Sequence, residues 1–407
     1  MMAIFFWLSA GLILYTYLGY PLLLTLVARV RPAPPVYPFT TPAVTMLIAA
    51  YNEQAVIARK LENSLSLDYP FHQLQILVAA DGSDDHTVEI VRQYTDQGVE
   101  LVYQPQRRGK MAAINRAMAF AKGEIVIFSD ANNLYEPSSL HHLVAPFTDP
   151  RVGAVSGAKT ILQGDGLLGE SEGLYWKYES FIKKQENRLG TCTGVAGEIL
   201  AIRRSLFQSP PQDIINDDFY MAMQIIQQGY RVVYAPQARS FERVSLSAQD
   251  EMTRRSRINA GRYQALTRLP KLLPRCNPVV WWQVISHKFL RPLVPFAMLG
   301  ALLASLLTVL FPVEPGKKAF LRLAPPYNWI SLILQALFYG LAVSGNRLEY
   351  TNSKAGKTLY MPTFLLNSNV AALQGCYRFF ARQETPQWKR VRRPEEILAN
   401  KWGNDGK

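Results

Sequence analysis

Three polar groups stand where buried apolar runs stop. Tyr51-Asn52-Glu53 follows "AVTMLIAA", Asp81-Gly82-Ser83-Asp84 follows "LQILVAA", and Asp130-Ala131-Asn132 ends "EIVIFSD". Carboxylates and amides so placed can accept hydrogen bonds from ribose hydroxyls and ligate a hard divalent cation, which neutralises phosphate oxygens. The plain alternative for the first group is a helix start with Asn52 as its N-cap. Three such strand ends together describe one crevice, which weakens that alternative.

The elements around them alternate. After "AVTMLIAA" comes a helical stretch beyond Glu53, then "LQILVAA", a helix from Asp85 to Gln97, "VELVYQ", a helix from Gly109 to Lys122, and "EIVIFSD". Such alternation predicts a mostly parallel α/β sheet covered on both faces, with its ligand beyond the carboxyl ends of the strands. No Gly-x-Gly-x-x-Gly follows the first strand and no Walker-type Gly-x-x-x-x-Gly-Lys-Ser/Thr is present, so neither a dinucleotide fold nor a P-loop is supported.

Four stretches lack any charge: Ala3–Ala28, Pro292–Val313, Leu323–Asn346 and Thr358–Tyr377. Each is near the ~20 apolar residues that cross a bilayer. Residues 1–30 read as a retained anchor, since no basic residue precedes the run and Arg29 and Arg31 follow it, which puts the N-terminus outside. Residues 40–270 then form one cytoplasmic domain with its own core. Trp281 and Trp282 with His287, Lys288 and Arg291 predict an interface helix over 277–291. Residues 292–381 form a C-terminal membrane region of two or three segments, and 382–407 a basic tail. With four crossings the tail lies outside; with the last stretch re-entrant it lies inside. Asn367, Asn369 and Gln374 there are helix glue or a polar lining. Cys192, Cys276 and Cys376 have no metal or disulfide spacing, as suits a reducing compartment. The net charge of +13 is spread along the chain, so lipid headgroups and a phosphorylated substrate explain it better than nucleic acid.

Six motifs in order, "AAYNE", "ADGSDDHT", "RRGKMAAINRA", "SDANN", "INDDFYMAMQIIQQGYRVVY" and "RRSRI", resemble the family 2 glycosyltransferases of GT-A fold. The likeness is to the membrane-embedded branch that includes cellulose, chitin and hyaluronan synthases, and it covers about residues 43–265. It implies that Tyr51, Glu53 and Asp81 hold the uridine of a UDP-sugar, with Lys110 and Asn115 near the nucleotide. Asp130 matches the first acid of the family's Asp-x-Asp metal motif, whose third position is Asn132 here; an amide still ligates Mg²⁺ or Mn²⁺, with less charge. Asn133 is a further polar contact.

Asp217-Asp218 matches the family's Thr-Glu-Asp motif, with Asp218 in the base position. An acidic helix start stabilised by the helix dipole is the structural alternative for this pair. The base takes the proton of an attacking acceptor hydroxyl, and a like-charged neighbour raises the pKa of one carboxyl of such a pair. One displacement inverts the anomeric centre. Arg255 and Arg257 occupy the Gln-x-x-Arg-Trp position and are implied at the diphosphate; Ile258 replaces the aromatic. Gly194 and Gly197 permit close approach to a ligand on the acceptor side. The helix "GLYWKYESFIKK" reads as core-facing. The implied protein is a multi-pass enzyme of the inner (plasma) membrane. It extends a polysaccharide or oligosaccharide, possible partner subunits being those of an export complex. The alternatives are a single addition to a lipid-linked acceptor and a catalytically silent export component.

Overall fold

The computed structural model of the protein describes residues 1–162, 166–243, 248–274, 277–316, 318–345, 354–385 and 387. Cys276 and the tail beyond 387 lie outside the described residues. The strands are β1 (Val44–Ala50), β2 (Leu74–Asp81), β3 (Val99–Gln104), β4 (Ile125–Asp130), β5 (Leu134–Tyr135), β6 (Val152–Ile161), β7 (Leu200–Arg203) and β8 (Arg231–Glu242). The helices are α1 (Met2–Leu14), α2 (Tyr20–Arg29), α3 (Ile57–Leu65), α4 (Thr87–Arg92), α5 (Lys110–Ala117), α6 (Ser139–Val144), α7 (Gly166–Arg188) and α8 (Asp217–Gln227). They continue as α9 (Ala248–Thr267), α10 (Leu269–Leu272), α11 (Pro278–Val284), α12 (Val294–Leu310), α13 (Ala319–Arg322), α14 (Tyr327–Gly345) and α15 (Lys354–Phe380).

Among the described residues the strands form one sheet in the order β3-β2-β1-β4-β7-β6-β8-β5. Strands β3, β2, β1 and β4 are mutually parallel, and β7 runs against both β4 and β6. Every residue of β1 is buried, as a central strand covered on both faces requires. Its alternation feeds two cores: Met46 and Ile48 pack with Ile57 and Leu61 of α3, and Leu47 with Met111 and Ile114 of α5. The register Ala49↔Asp130 and Ala50↔Ala80 brings Tyr51, Asp81 and Asp130 to one edge. Two helices are shorter than the sequence suggests. The second ends at Arg92 and gives way to a 3₁₀ turn at Thr95–Gln97, and α5 ends at Ala117 before another at Met118–Phe120.

Three helical runs are long and apolar enough to span a membrane among the described residues: Met2–Arg29, Pro278–Leu310 and Tyr327–Gly345. The first packs on α12 through small residues; a Cβ at Gly300 would meet Phe5 at 2.9 Å, the close approach that membrane helices favour. The second corrects the expectation of a separate interface helix. Residues 278–310 are one run, with a π turn at Ile285–Phe289 and a 3₁₀ turn at Arg291–Leu293. His287 does not sit at a lipid boundary; it is fully buried.

Its partners are on α7. Glu186 Oε1 lies 2.8 Å from His287 Nδ1, Glu179 Oε2 lies 3.0 Å from Nε2, and Glu179 also binds Arg291. Tyr20 Oη donates to Glu186 at 2.7 Å and Thr193 N donates to it at 2.8 Å. Burial opposes the charge of Glu186, but His287 and these hydrogen bonds outweigh it and hold the carboxyl at about 2. A depressed folded pKa adds stability above the ordinary glutamate value, lost as pH falls toward 2. The helix that holds "GLYWKYESFIKK" has a polar buried side: Glu179 within that stretch, and Glu172 and Glu186 seven residues to either side of it, are all buried, whereas Leu174, Tyr175, Trp176 and Tyr178 face a cavity rather than the core.

The last apolar stretch is one helix, α15, laid along α9. A Cβ at Gly375 would meet Ser256 O at 2.5 Å, and Arg378 Nη1 donates to Ser256 Oγ at 2.8 Å. Beyond it, Gln387 Nε2 donates to Arg107 O at 3.1 Å, so the end of the described chain lies beside the loop that follows β3. Removing one partner of a buried ion pair costs about 3–5 kcal/mol. Glu179→Ala should therefore lower the thermal midpoint of the full chain by several degrees in scanning fluorimetry, and Lys184→Ala, exposed on the same helix, should leave it unchanged.

Candidate active site

A cavity of about 1510 Å³ opens at the carboxyl edge of the sheet. Glu53, Lys110, Asp130, Asn132, Asp217 and Asp218 line its head. Lys110, the first residue of α5, places its ammonium 2.8 Å from Asp130 Oδ1 and 3.4 Å from Asp217 Oδ2. Burial disfavours that charge, yet the two carboxylates outweigh it and hold the lysine above its ordinary value.

Asp218 is the second residue of α8, and its Oδ1 accepts from Phe219 N at 2.7 Å. The helix forms because Phe219, Ala222, Met223 and Ile226 recur on one buried face. Burial first, and Asp217 beside it second, push the Asp218 carboxyl up to about 6, against the pull of the Phe219 amide and of Lys288 and Lys110. A carboxylate so tuned is a better base at neutral pH. Both readings of the pair coexist, a helix start and a raised carboxyl.

The loop after β2 is built on Asp81. Its carboxylate, 1% exposed, accepts from Gly109 N at 2.6 Å and Arg108 N at 3.0 Å, and Arg116 lies 4.0 Å away. Gly82 has φ +67°, and a Cβ there would strike Arg107 N at 2.5 Å. Asp81 thus anchors the basic loop and does not line the cavity. Arg107 sits 3.6 Å over the Tyr51 ring, a cation–π stack. Asn52 is not a helix cap: it takes φ +54° and exchanges hydrogen bonds with Asp84, at 2.5 and 3.0 Å, while α3 starts five residues later. Asn115 faces the protein, with Nδ2 donating to Pro210 O at 3.0 Å.

Asn132 Nδ2 donates to Glu242 Oε1 at 3.3 Å. Asn133 is a structural pin: buried, it accepts from Ser129 Oγ at 3.1 Å and donates to Glu198 O at 2.9 Å. Beneath it Lys60, fully buried, donates to Asn133 O at 2.9 Å; burial lowers this lysine to about 7 despite Asp130. Gly194 and Gly197 do allow close approach, but by the protein itself. A Cβ at Gly194 would lie 2.9 Å from His287 Cε1, and one at Gly197 would lie 3.0 Å from Asp218 Cβ. Arg255 binds Glu172, Glu251 at 2.9 Å and Ser368 at 2.6 Å. Arg257 binds Glu384 at 3.1 Å and Thr385 O at 2.9 Å. Both line the cavity, each held by carboxylates of its own chain.

Sequence reasoning missed Lys159, which is buried between Glu242 and Glu198 on the cavity wall. It also missed the three glutamates of α7, whose sevenfold spacing on one helix face was a readable signal.

The model of the family described as Glycosyl transferase family 2 matches residues 45–209, which takes in β2 to β7, nearly all of β1, and Glu53, Lys110, Asp130 and Asn132 of the cavity's head, while Asp217 and Asp218 lie beyond it. Over residues 45–209 the chain is similar to the family 2 glycosyltransferases. The poly-beta-1,6-N-acetyl-D-glucosamine synthase of Staphylococcus aureus is 26% identical to it over 231 residues, 55% of this chain and 56% of the relative. The Staphylococcus epidermidis synthase of the same name is 26% identical over 201 residues, 48% of each. The chain thus spans about half the length of the curated relatives it matches. Among solved structures, the mannosyltransferase PcManGT from Pyrobaculum calidifontis, determined with GDP-Man and Mn²⁺, superposes with a TM-score of 0.69 at 24% identity, covering 92% of this chain and 99% of that one. That likeness shows that the two chains share a fold over nearly their whole lengths.

If Asp218 is the base, only its ionised form works. Transfer should rise about tenfold per pH unit up to about 6 and level above it, and Asp217→Asn, by removing the like charge, should move the bend to lower pH. A rate-against-pH series on both proteins reads the shift.

Proposed function

We propose that the protein is a membrane-bound, inverting glycosyltransferase that moves a sugar from a UDP-sugar to a growing polysaccharide or oligosaccharide. The observation that carries the reading is Asp218: its carboxyl, raised to about 6, faces the same cavity as Asp130 and Lys110. The acceptor hydroxyl loses its proton to Asp218 as it attacks the anomeric carbon. Lys110 lies between the donor side, at Asp130, and the base side, at Asp217, where its charge can follow the charge that grows on the leaving diphosphate. Tyr51, Glu53 and the loop anchored by Asp81 lie where the uridine is proposed to sit. Arg29 and Arg31 after the first span favour a cytoplasmic catalytic domain in the plasma membrane.

Among the described residues no three His, Cys, Asp or Glu side chains form a self-sufficient metal cage. One carboxylate joined by substrate phosphates is, however, an ordinary Mg²⁺ environment. Asp130, with a side chain 40% exposed, already attracts the Lys110 ammonium. Asp130 with Asn132 would hold Mg²⁺ or Mn²⁺, which when bound withdraws charge from the diphosphate.

A single addition to a lipid acceptor is the second reading. It is favoured by Ile258 at the aromatic position and by a cavity that reaches Ile13, Leu14 and Leu18 of the first membrane run. A silent export component has no use for a tuned Asp218.

Metal-dependent UDP release across a panel of UDP-sugars, with GDP-mannose beside them, tests the donor. Asp218→Asn should cut transfer by about 10²- to 10⁴-fold and leave UDP affinity within a few-fold; full turnover by the variant removes Asp218 from the mechanism. Asn132→Asp adds a carboxylate beside the proposed cation, so half-saturation should move to lower Mn²⁺ concentration. An unmoved midpoint in that titration would leave Asp130 as the sole protein ligand.

A further inference from the structure

A second set of charges lines the cavity wall apart from Asp130, Lys110 and the aspartate pair. Lys183 of α7 is 2% exposed and lines the cavity. Among the described residues its ammonium makes no hydrogen bond and no ion pair; it lies over the rings of Tyr234 and Trp176, at 5.4 and 5.6 Å. Lys288, in the π turn of the second membrane run, lines the same cavity and likewise has neither among the described residues. The two converge on Gly194, where a Cβ would lie 3.4 Å from Lys288 Nζ and 3.5 Å from Lys183 Cε. Arg262 of α9 is a third lining cation with no acidic partner among the described residues; its Nη1 donates to Asn259 Oδ1 at 3.1 Å.

The other cations of this wall are matched. Lys159 has Glu198 and Glu242, Arg255 has Glu172 and Glu251, and Arg291 has Glu179. A nearly buried ammonium without a counter-charge is costly unless a ligand supplies one. The remaining acid nearby, Glu179, is already shared by His287 and Arg291.

Position identifies the side of the reaction. Lys288 is close enough to favour ionised Asp218, whereas the proposed donor diphosphate lies at Lys110 and Asp130. The cavity continues past these cations to Ile13, Leu14 and Leu18 of the first membrane run and to Phe364 and Leu365 of α15. An anion held there has the base on one side and apolar membrane helices on the other. We propose that Lys183, Lys288 and Arg262 bind the phosphate or diphosphate of a lipid-linked acceptor whose apolar chain leaves between α1 and α15. The proposal rests on the glycosyltransferase reading for the word acceptor, and the site itself rests on the unmatched cations.

The test is binding to the full chain in lipid nanodiscs, without nucleotide or metal, after subtraction of empty nanodiscs. Titrations with geranyl phosphate, geraniol and inorganic phosphate separate the anion, the apolar chain and their combination. Geranyl phosphate should bind at least about tenfold tighter than either of the others, the worth of one charge-assisted contact. Lys183→Gln and Lys288→Gln should each weaken it by about tenfold or more. Lys183→Arg, which keeps the charge, should retain binding and so separates loss of charge from loss of fold. Lys184→Gln, exposed one position on, should change nothing. Equal affinity for geraniol, or unaltered binding by both glutamine variants, overturns the proposal. Inorganic phosphate bound as tightly as geranyl phosphate overturns the lipid source. Because no sugar nucleotide is present, these outcomes are independent of whether the donor is a UDP-sugar.

Discussion

His287 lies in the helix that runs into the membrane, and two glutamates of the catalytic domain grip its two ring nitrogens, at 2.8 and 3.0 Å. All three side chains are buried, so none can exchange its partner for water. A buried charge left alone costs several kcal/mol, and that cost fixes α7 against the second membrane run. Tyr20 binds the same Glu186 and ties in the first run. The catalytic domain therefore cannot swing on its membrane anchor without breaking these bonds together. The same helix presents Glu172 to Arg255, so its three carboxylates also align α9, and through α9 the long α15.

Within that frame the site is organised by one ammonium. Lys110 touches Asp130, at the end of β4, and Asp217, at the start of α8. These elements are far apart in sequence and belong to different parts of the sheet. Their meeting makes the end of β4 and the start of α8 share one charge. The pair Asp217-Asp218 then behaves as two unlike groups. Asp217 is matched by Lys110, and Asp218, walled in beside Gly197, has its carboxyl raised to about 6.

The cavity is continuous from the strand ends to the first membrane run, because Tyr17 of that run, α7 and α15 meet around it. Tyr178 Oη donates to Tyr17 O at 2.8 Å and Asn369 Nδ2 donates to Tyr17 Oη at 3.2 Å. The polar residues of the last apolar stretch thus serve in part as helix glue. Glu384 pairs with both Arg257 and Arg378, which holds the segment after α15 over the mouth of the site.

The sequence by itself determined the parallel sheet, the three polar strand ends and the membrane runs, because period, burial and charge are local properties of the chain. The strand ends meet because parallel register leaves no other arrangement for Tyr51, Asp81 and Asp130. Their duties were less legible: Asp81 was read as a ligand contact, yet its carboxylate is filled by the backbone of residues 108 and 109. Arg255, Arg257, Gly194 and Asn133 likewise turned out to be committed to partners within the chain. The interface helix proved continuous with a membrane run, since His287 found two buried acids where a sequence shows only a cation near tryptophans. Which charges are matched and which are left facing a cavity is decided by elements a hundred residues apart or more, such as Glu186 and His287 or Arg257 and Glu384. Only the tertiary structure brings those pairs within hydrogen-bond reach, and so only it separates the matched Arg291 from the unmatched Lys183 and Lys288.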